Sequence, residues 1–244
     1  MPKKILHIID SLAKGGAEML LIGVVNSLPN YQHLIVTFEP ENQFADEIPP
    51  SVKLICLHAN SPIQKLRSVP RLRRLIKEHE IDIVHSHLYW PTIVSRLSIP
   101  RSKQLISSYH NVLYGKHGSS YSSVLKILDR ITYRSSFMTL SVSGEVKKDL
   151  EQNVGITKNS EVLYNYIEDV FYEKPKTEFA PEASLKIVSV GNLKPQKNYL
   201  SMVEAFARQV PTGISWDIYG EGPERDQITR VIEENSLHQV QLKG

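Results

Sequence analysis

The chain is predicted to be an α/β protein built on parallel sheets. Short apolar runs alternate with amphipathic ones along its length, the pattern of repeated βα units. The strand-like runs at 33–38 (HLIVTF) and 137–142 (FMTLSV) are apolar on both faces, as a sheet covered by helices on each side requires. Glycine turns follow two of the strands, at Gly15-Gly16 and at Gly191, at the end of the sheet where open α/β folds take their ligands.

Each element follows from its own residues. Lys4–Ile9 is an apolar first strand, and Gly15-Gly16 turns the chain into a helix over Ala17–Leu28. Strands are predicted at His33–Phe38 and Val52–Leu57. A basic amphipathic helix follows over Ile63–Glu78, broken or begun at Pro70 because proline lacks the N–H a helix interior needs. Asp82–Ser86, Gln104–Ser108, Phe137–Ser141 and Glu161–Tyr164 complete the first set of strands, with helices at Pro91–Ser98, Ser120–Arg134 and Gly144–Asn153. The proline- and charge-rich segment ending at Leu185 has few aliphatic residues and reads as a linker over 171–185, separating a first domain, 1–170, from a second. The alternation then resumes with strands Lys186–Val190, Ser215–Tyr219 and Val240–Leu242 and helices Tyr199–Arg208 and Pro223–Asn235. In a doubly wound sheet the first strand lies centrally. Three strands make only half of such a sheet, so 186–244 is expected to be the first half of a domain and the chain a fragment.

Composition narrows the function classes. With 41% apolar and 23% charged residues the balance is that of an ordinary globular protein, and no apolar run approaches the ~20 residues of a spanning helix. Cys56 is the sole cysteine, so no internal disulfide forms and a reducing, cytoplasmic setting is expected; its apolar surroundings favour packing over thiol reactivity. The net charge of +3 is small but uneven. Lys53, Lys65, Arg67, Arg71, Arg73, Arg74 and Lys77 fall within 48–77 with no acid among them. Such a segment suits an anionic membrane surface at the inner face of the plasma membrane, or is a solvated helix face. No nucleic-acid-reading module accompanies it, so nucleic acid is not an expected partner.

The candidate sites lie at strand ends. Gly15-Gly16-Ala17-Glu18 does not have the spacing of the dinucleotide fingerprint G-x-G-x-x-G. It is either a plain turn or a loop whose backbone N–H groups meet an anionic or polar ligand at a helix N-terminus. Lys197, after the Gly191 turn, suits a diphosphate, placing a cation where a leaving phosphate develops charge; an ordinary surface lysine is the alternative. Gly220 and Gly222 read as structural, with Pro223 at the first helical position. His85 and His87, at i and i+2 on a strand, point to one side and with His110 form a conceivable zinc set. No carboxylate or cysteine joins them, so no metal is expected; they are read instead as lining an acceptor cleft or as packing. Tyr89 and Trp90 are expected to offer flat faces to a sugar or lipid there. No Asp-x-Asp triplet occurs in the chain.

In sequence order, GGAE after the first strand, DIVHSHLY, ISSYHN, LSVSGEVKKDL, VLYNYIED, VGNLKPQKN and IYGEGPERDQI resemble the retaining family 4 glycosyltransferases over nearly all 244 residues. The resemblance implies a GT-B-like fold of two Rossmann-like doubly wound domains. It implies transfer of a sugar from a UDP- or GDP-linked donor, with anomeric configuration retained and no metal or other cofactor, to a saccharide or lipid-linked saccharide. Gly15, Gly16, Gly191, Asn192 and Lys197 are then donor-binding, Lys197 stabilising the departing nucleotide. His110 hydrogen-bonds the transferred sugar, and His85, His87, Tyr89 and Trp90 stand on the acceptor side. Three departures bear on this reading. Asn192 stands where the family often has arginine. Asn165-Tyr166-Ile167-Glu168 replaces an N-G-hydrophobic-D element. The family's E-x-x-x-x-x-x-x-E element has no counterpart in the second domain, the only such spacing being Glu39 and Glu47. Two other readings remain: a non-catalytic, partner-complemented sugar-nucleotide-binding subunit, and a GT-B sugar-nucleotide epimerase.

Overall fold

The computed structural model describes residues 2–114, 123–167, 185–209 and 213–244 of the 244-residue chain. These fall into two compact units, Met1–Glu168 and Asp169–Gly244. The predicted linker lies outside the described residues, except that Leu185 already belongs to a strand.

The first unit carries seven parallel strands in the order β3-β2-β1-β4-β5-β6-β7: β1 (Lys4–Ile9), β2 (Gln32–Thr37), β3 (Lys53–Cys56), β4 (Ile83–His87), β5 (Gln104–Tyr109), β6 (Met138–Ser141) and β7 (Ser160–Val162). Helix α1 (Gly16–Ser27) lies on one face, where Leu21, Ile22 and Val25 pack on Ile9 and Ile35. On the other face Leu6, Ile8, Leu34, Val36, Val84 and Leu105 meet α3 (Val69–Glu78) through Leu72, Leu75 and Ile76 and α4 (Tyr89–Ser98) through Val94. Residues alternate between faces along a strand, so β1 sends even positions to this second core and odd positions toward α1.

The predicted basic helix is two helices. Ser61 and Gln64 form a reciprocal capping box that starts α2 (Pro62–Arg67), and Ser68 ends it while opening α3, with Pro70 in the first turn. The break therefore falls two residues before the proline, because a first-turn proline needs no N–H partner. Helix α4 begins at Tyr89, before Pro91. Helices α5 (Ser123–Thr132) and α6 (Gly144–Asn153) complete the unit, α5 leaving Val124, Ile127 and Ile131 exposed. No helix among the described residues is long and apolar enough to cross a membrane.

In the second unit β8 (Leu185–Val190), β9 (Ile214–Tyr219) and β10 (Val240–Leu242) form a parallel sheet in the order β10-β9-β8, with helices α7 (Tyr199–Gln209) and α8 (Arg225–Glu234). Trp216, Ile218, Tyr199, Val203, Ile228 and Val240 make its core. Strand β8 is the sheet edge, and Val188 and Val190 on it are 56% and 79% exposed.

Candidate active site

At the C-terminal end of β1 the chain runs through Asp10 into the Gly15-Gly16 turn. Gly15 is the N-cap of α1 in an extended conformation, with no side-chain cap on the helix. A Cβ on Gly16 would meet nothing within 4 Å, whereas one on Gly15 would strike the Glu18 carboxylate. Gly16 therefore faces open space and Gly15 leaves room for Glu18, a division of labour that the sequence does not reveal.

Beside this turn is a cation the sequence reading assigned to a membrane. The Lys65 ammonium is buried, 2.5 Å from Asp10 and 3.4 Å from Glu39. Burial raises the Asp10 pKa and Lys65 pulls it back down, with Glu39 adding a smaller upward push. Arg71 donates to the carbonyls of Leu57 and Cys56, and Arg73 to those of Ser98 and Leu97. Much of the basic run thus holds α2 and α3 to their neighbours. Lys65 in particular cannot meet a membrane.

Five histidines form a row on one face of the first sheet. Register places His7 of β1 opposite His85 of β4, and His87 opposite Ser108 of β5. His33 of β2 extends the row at one end and His110, directly after β5, at the other. Neighbouring ring centroids are 5.3 Å (His7–His33), 5.4 Å (His7–His85), 4.1 Å (His85–His87) and 5.7 Å (His87–His110). His85 Nε2 lies 2.8 Å from the Ser108 hydroxyl. Burial pushes the pKa of His110 down to about 4, and burial with His110 nearby does the same to His85. His7 and His87 are driven well below the ordinary value, again first by burial and then by neighbouring imidazoles. All four rings are consequently neutral at pH 7.

The turn after β4 is a single residue, Leu88, at φ 70° and ψ −179°. A leucine held in this glycine-favoured region carries backbone strain of about 1–3 kcal/mol. The strain accompanies an abrupt reversal that sets His87 at the strand end and Tyr89 in the first turn of α4. Tyr89 does not line a cleft. It is 2% exposed, and its hydroxyl donates to the Leu125 carbonyl at 2.6 Å. The aromatic run packs instead of presenting rings: Trp90 is half-buried and meets Tyr89 edge-on at 5.2 Å. Behind His110, Tyr109 joins a buried network in which Asp129 accepts from Arg96, Tyr109 and Tyr114.

In the second unit, Gly191 ends β8 and a 3₁₀ turn, Pro195–Lys197, precedes α7. The Lys197 stem lies 3.7 Å from where a Gly191 Cβ would stand, and the Tyr199 hydroxyl lies 3.1 Å from it. Asn192 and Lys197 are both exposed. A Cβ on Gly220 would fall 2.1 Å from the Gly191 carbonyl oxygen, and one on Gly222 would fall 2.4 Å from that of Leu193. These glycines let the two strand-end loops touch through their backbones, with Leu193 N–H donating to Glu221 O at 2.9 Å.

The sequence-predicted residues therefore fall into groups. Gly191, Asn192 and Lys197 come together in one loop, and His85, His87 and His110 in one row. Sequence reasoning missed Asp10, His7 and His33, and it put Lys65 on a membrane-facing surface. The signal for His7 is its place among the odd positions of β1, but its partners depend on cross-strand register.

Residues 14–170 match the sequence profile of Glycosyltransferase Family 4. A Campylobacter jejuni protein, N-acetylgalactosamine-N,N'-diacetylbacillosaminyl-diphospho-undecaprenol 4-alpha-N-acetylgalactosaminyltransferase, is 29% identical over 253 residues, covering 96% of this chain and 67% of that protein. Among solved structures, HepE of Anabaena in complex with UDP aligns with a TM-score of 0.76 at 17% identity, covering 98% of this chain and 68% of the other. Sucrose-phosphate synthase of Thermosynechococcus elongatus aligns with a TM-score of 0.76 at 13% identity, covering 99% and 70%. The fold is that of the GT-B enzymes, its second Rossmann-like unit represented by three strands among the described residues. The chain belongs to glycosyltransferase family 4, and it spans about two thirds of the length of these relatives.

Proposed function

We propose that the chain supplies the acceptor-side domain and the first half of the donor domain of a retaining glycosyltransferase. It would move a sugar from a UDP- or GDP-linked donor to a saccharide or lipid-linked saccharide in cell-surface polysaccharide synthesis. The observation that carries this reading is Lys197 lying along Gly191 at the C-terminal end of β8, in a chain of this family. A cation there offsets the charge that develops on a leaving diphosphate. An acceptor hydroxyl attacks the anomeric carbon on the leaving-group face. The new glycosidic C–O bond forms as the bond to the phosphate oxygen breaks, and the hydroxyl proton passes to the departing diphosphate. Gly15 and Gly16 are read as donor-binding, and His110, neutral at pH 7, hydrogen-bonds the sugar and does not abstract a proton. With no Asp-x-Asp triplet in the sequence, the transfer is read as metal-independent.

The Campylobacter relative's printed acceptor is a diphospho-undecaprenol saccharide, which supports a lipid-linked acceptor and a cytoplasmic protein peripheral to the inner membrane face. Exposed Arg67, Arg74 and Lys77 and the apolar stripe of α5 support contact with that surface. The test is donor-dependent nucleotide release by the full-length protein against a panel of UDP- and GDP-sugars. Lys197→Ala is expected to lower turnover strongly, and unchanged turnover overturns its role. Binding without release in the presence of acceptors favours the binding-subunit reading, and an isomerised donor without acceptor favours the epimerase.

A further inference from the structure

We infer that His7, His85 and His87 form a binding site for a divalent transition-metal cation of the zinc class, with an open fourth position. The inference rests on the first unit alone and stands or falls apart from the glycosyl-transfer reading.

Three observations converge on it. The first is placement: adjacent strands in register set His7 against His85, with His87 two residues further along the same face. One ring nitrogen from each lies within 4.8 Å of the others. In a tetrahedral site with Zn–N of about 2.0–2.1 Å the nitrogens stand about 3.3 Å apart. Binding therefore requires the three rings to turn toward one another about their side-chain torsions.

The second is unspent ligand capacity. His7 Nδ1 and both nitrogens of His87 are buried and have no hydrogen-bond partner among the described residues. His7 is 1% exposed and His87 2%. A cation would take His7 Nδ1 and one nitrogen of His87, giving two buried atoms the partner they otherwise lack.

The third is a relay that fixes the tautomer. His33 Nε2 lies 2.9 Å from the Leu28 carbonyl oxygen, which can only accept, so Nε2 carries the proton. With a single ring proton, on Nε2, His33 accepts at Nδ1 and His7 Nε2, 3.1 Å away, donates. The His7 proton is thus held on the outer nitrogen, and the lone pair remains on Nδ1, the atom without a partner. A carbonyl–histidine–histidine chain of this kind is the outer-shell arrangement that orients a metal-binding imidazole. The Ser108 hydroxyl, 2.8 Å from His85 Nε2, holds that ring, donating or accepting according to its tautomer.

The donor set decides the cation. Three imidazoles and no carboxylate suit Zn(II), Co(II), Ni(II) or Cu(II) and do not suit Mg(II) or Ca(II), which take oxygen ligands. The rings are already neutral, so the ligands need lose no protons on binding. Three histidines with a free fourth place describe an open site, filled by water or an exogenous donor.

The test uses the tag-free full chain, stripped with chelator and titrated with Co(II) and then Zn(II). One Co(II) per chain with the visible absorption of tetrahedral coordination, displaced by Zn(II), is expected. His85→Gln, at the least buried ligand, and His87→Gln are each expected to weaken Co(II) binding at least ~100-fold, and His33→Gln about tenfold through lost orientation of His7. His110→Gln is expected to leave the affinity unchanged. Circular dichroism establishes that each variant is folded, and His85→Gln decides if His87→Gln is not. Absence of Co(II) coordination by the wild-type chain, or undiminished binding by His85→Gln, overturns the site.

Discussion

Replacing Asp129 by asparagine keeps the side-chain shape and removes one charge from the network behind His110. Asp129 and Arg96 are 0% and 2% exposed. The carboxylate takes Arg96 Nη1 at 2.5 Å, the Tyr114 hydroxyl at 2.8 Å and the Tyr109 hydroxyl at 3.1 Å. Burial pushes both phenols up, so each remains an O–H donor at neutral pH. Removing the charge strands the Arg96 guanidinium in a dry interior, a loss of about 3–5 kcal/mol for a broken buried pair. Against a whole stability of about 5–15 kcal/mol, Asp129→Asn is expected to shift the unfolding midpoint of the first unit strongly. Guanidinium denaturation followed by tryptophan fluorescence and circular dichroism measures it. A double substitution, Arg96→Met with Asp129→Leu, is expected to recover only part of the loss, because it removes both buried charges but takes from the Tyr109 hydroxyl its acceptor. If Asp129→Asn costs less than about 1 kcal/mol, or the double variant is no better than the single, the argument from desolvation is wrong.

Four further outcomes follow from the same geometry. In chelator-treated protein, stability is expected to fall as the pH drops from about 6.5 toward 4, because the unfolded imidazoles take up protons that the buried rings refuse. With His85 and His110 at about 4, each contributes a loss of up to about 2 kcal/mol between pH 7 and 5. His7 and His87 add to it in the same direction, Asp10 opposes it through its raised pKa, and a flat urea-midpoint profile over this range would refute it. Lys65→Met is expected to cost about 2 kcal/mol by leaving half-buried Asp10 without its cation, read by thermal unfolding at pH 7; a change within about 0.5 kcal/mol, the size of an ordinary surface substitution, would return Lys65 to the surface class. Gly222→Ala, whose Cβ would lie 2.4 Å from the Leu193 carbonyl oxygen, is expected to separate the two donor-side loops and weaken nucleotide binding. Gly16→Ala is expected to keep full stability, since nothing lies within 4 Å of the added carbon. Equal nucleotide affinity in Gly222→Ala and wild type would remove the case for close loop contact.

Most of the architecture was legible because it rests on local pattern. Apolar runs placed every strand within a few residues, and the alternation fixed the parallel class. Boundaries moved where capping chemistry competed with proline. The Ser61–Gln64 box and Ser68 set the ends of α2 and α3, while proline in a first turn proved permissive. Charge was less legible. A lysine in a basic run reads as solvated, yet Lys65 turns inward because Asp10 and Glu39, distant in sequence, end neighbouring strands beside it. Likewise, Tyr89 after a histidine pair reads as a ligand platform, but the one-residue turn at Leu88 rotates it into the core.

The histidine row shows why the remainder could not be read from one strand. His85 and His87 share a face by simple alternation, which sequence supplies. His7 joins them only through the β1–β4 pairing, and that neighbour relation follows from the sheet reversing its winding after β3. His110, the third member a linear reading would choose, stacks on His87 at the other end of the row, and it is the nitrogens of His7, His85 and His87 that lie within 4.8 Å of one another. The same strand order thus replaces an implausible zinc set, spread along the row, by a compact one whose outer proton is fixed by His33. If the site binds a cation, His110 stands next to a fixed positive charge and its protonation becomes harder still. His110 would then act in transfer only as a neutral hydrogen-bonding group, so Zn(II) should leave a His110-dependent step intact at pH 7 and suppress any histidine-linked acid limb in the rate profile. A rate profile whose acid limb is the same with and without Zn(II) would separate the cation from the reaction.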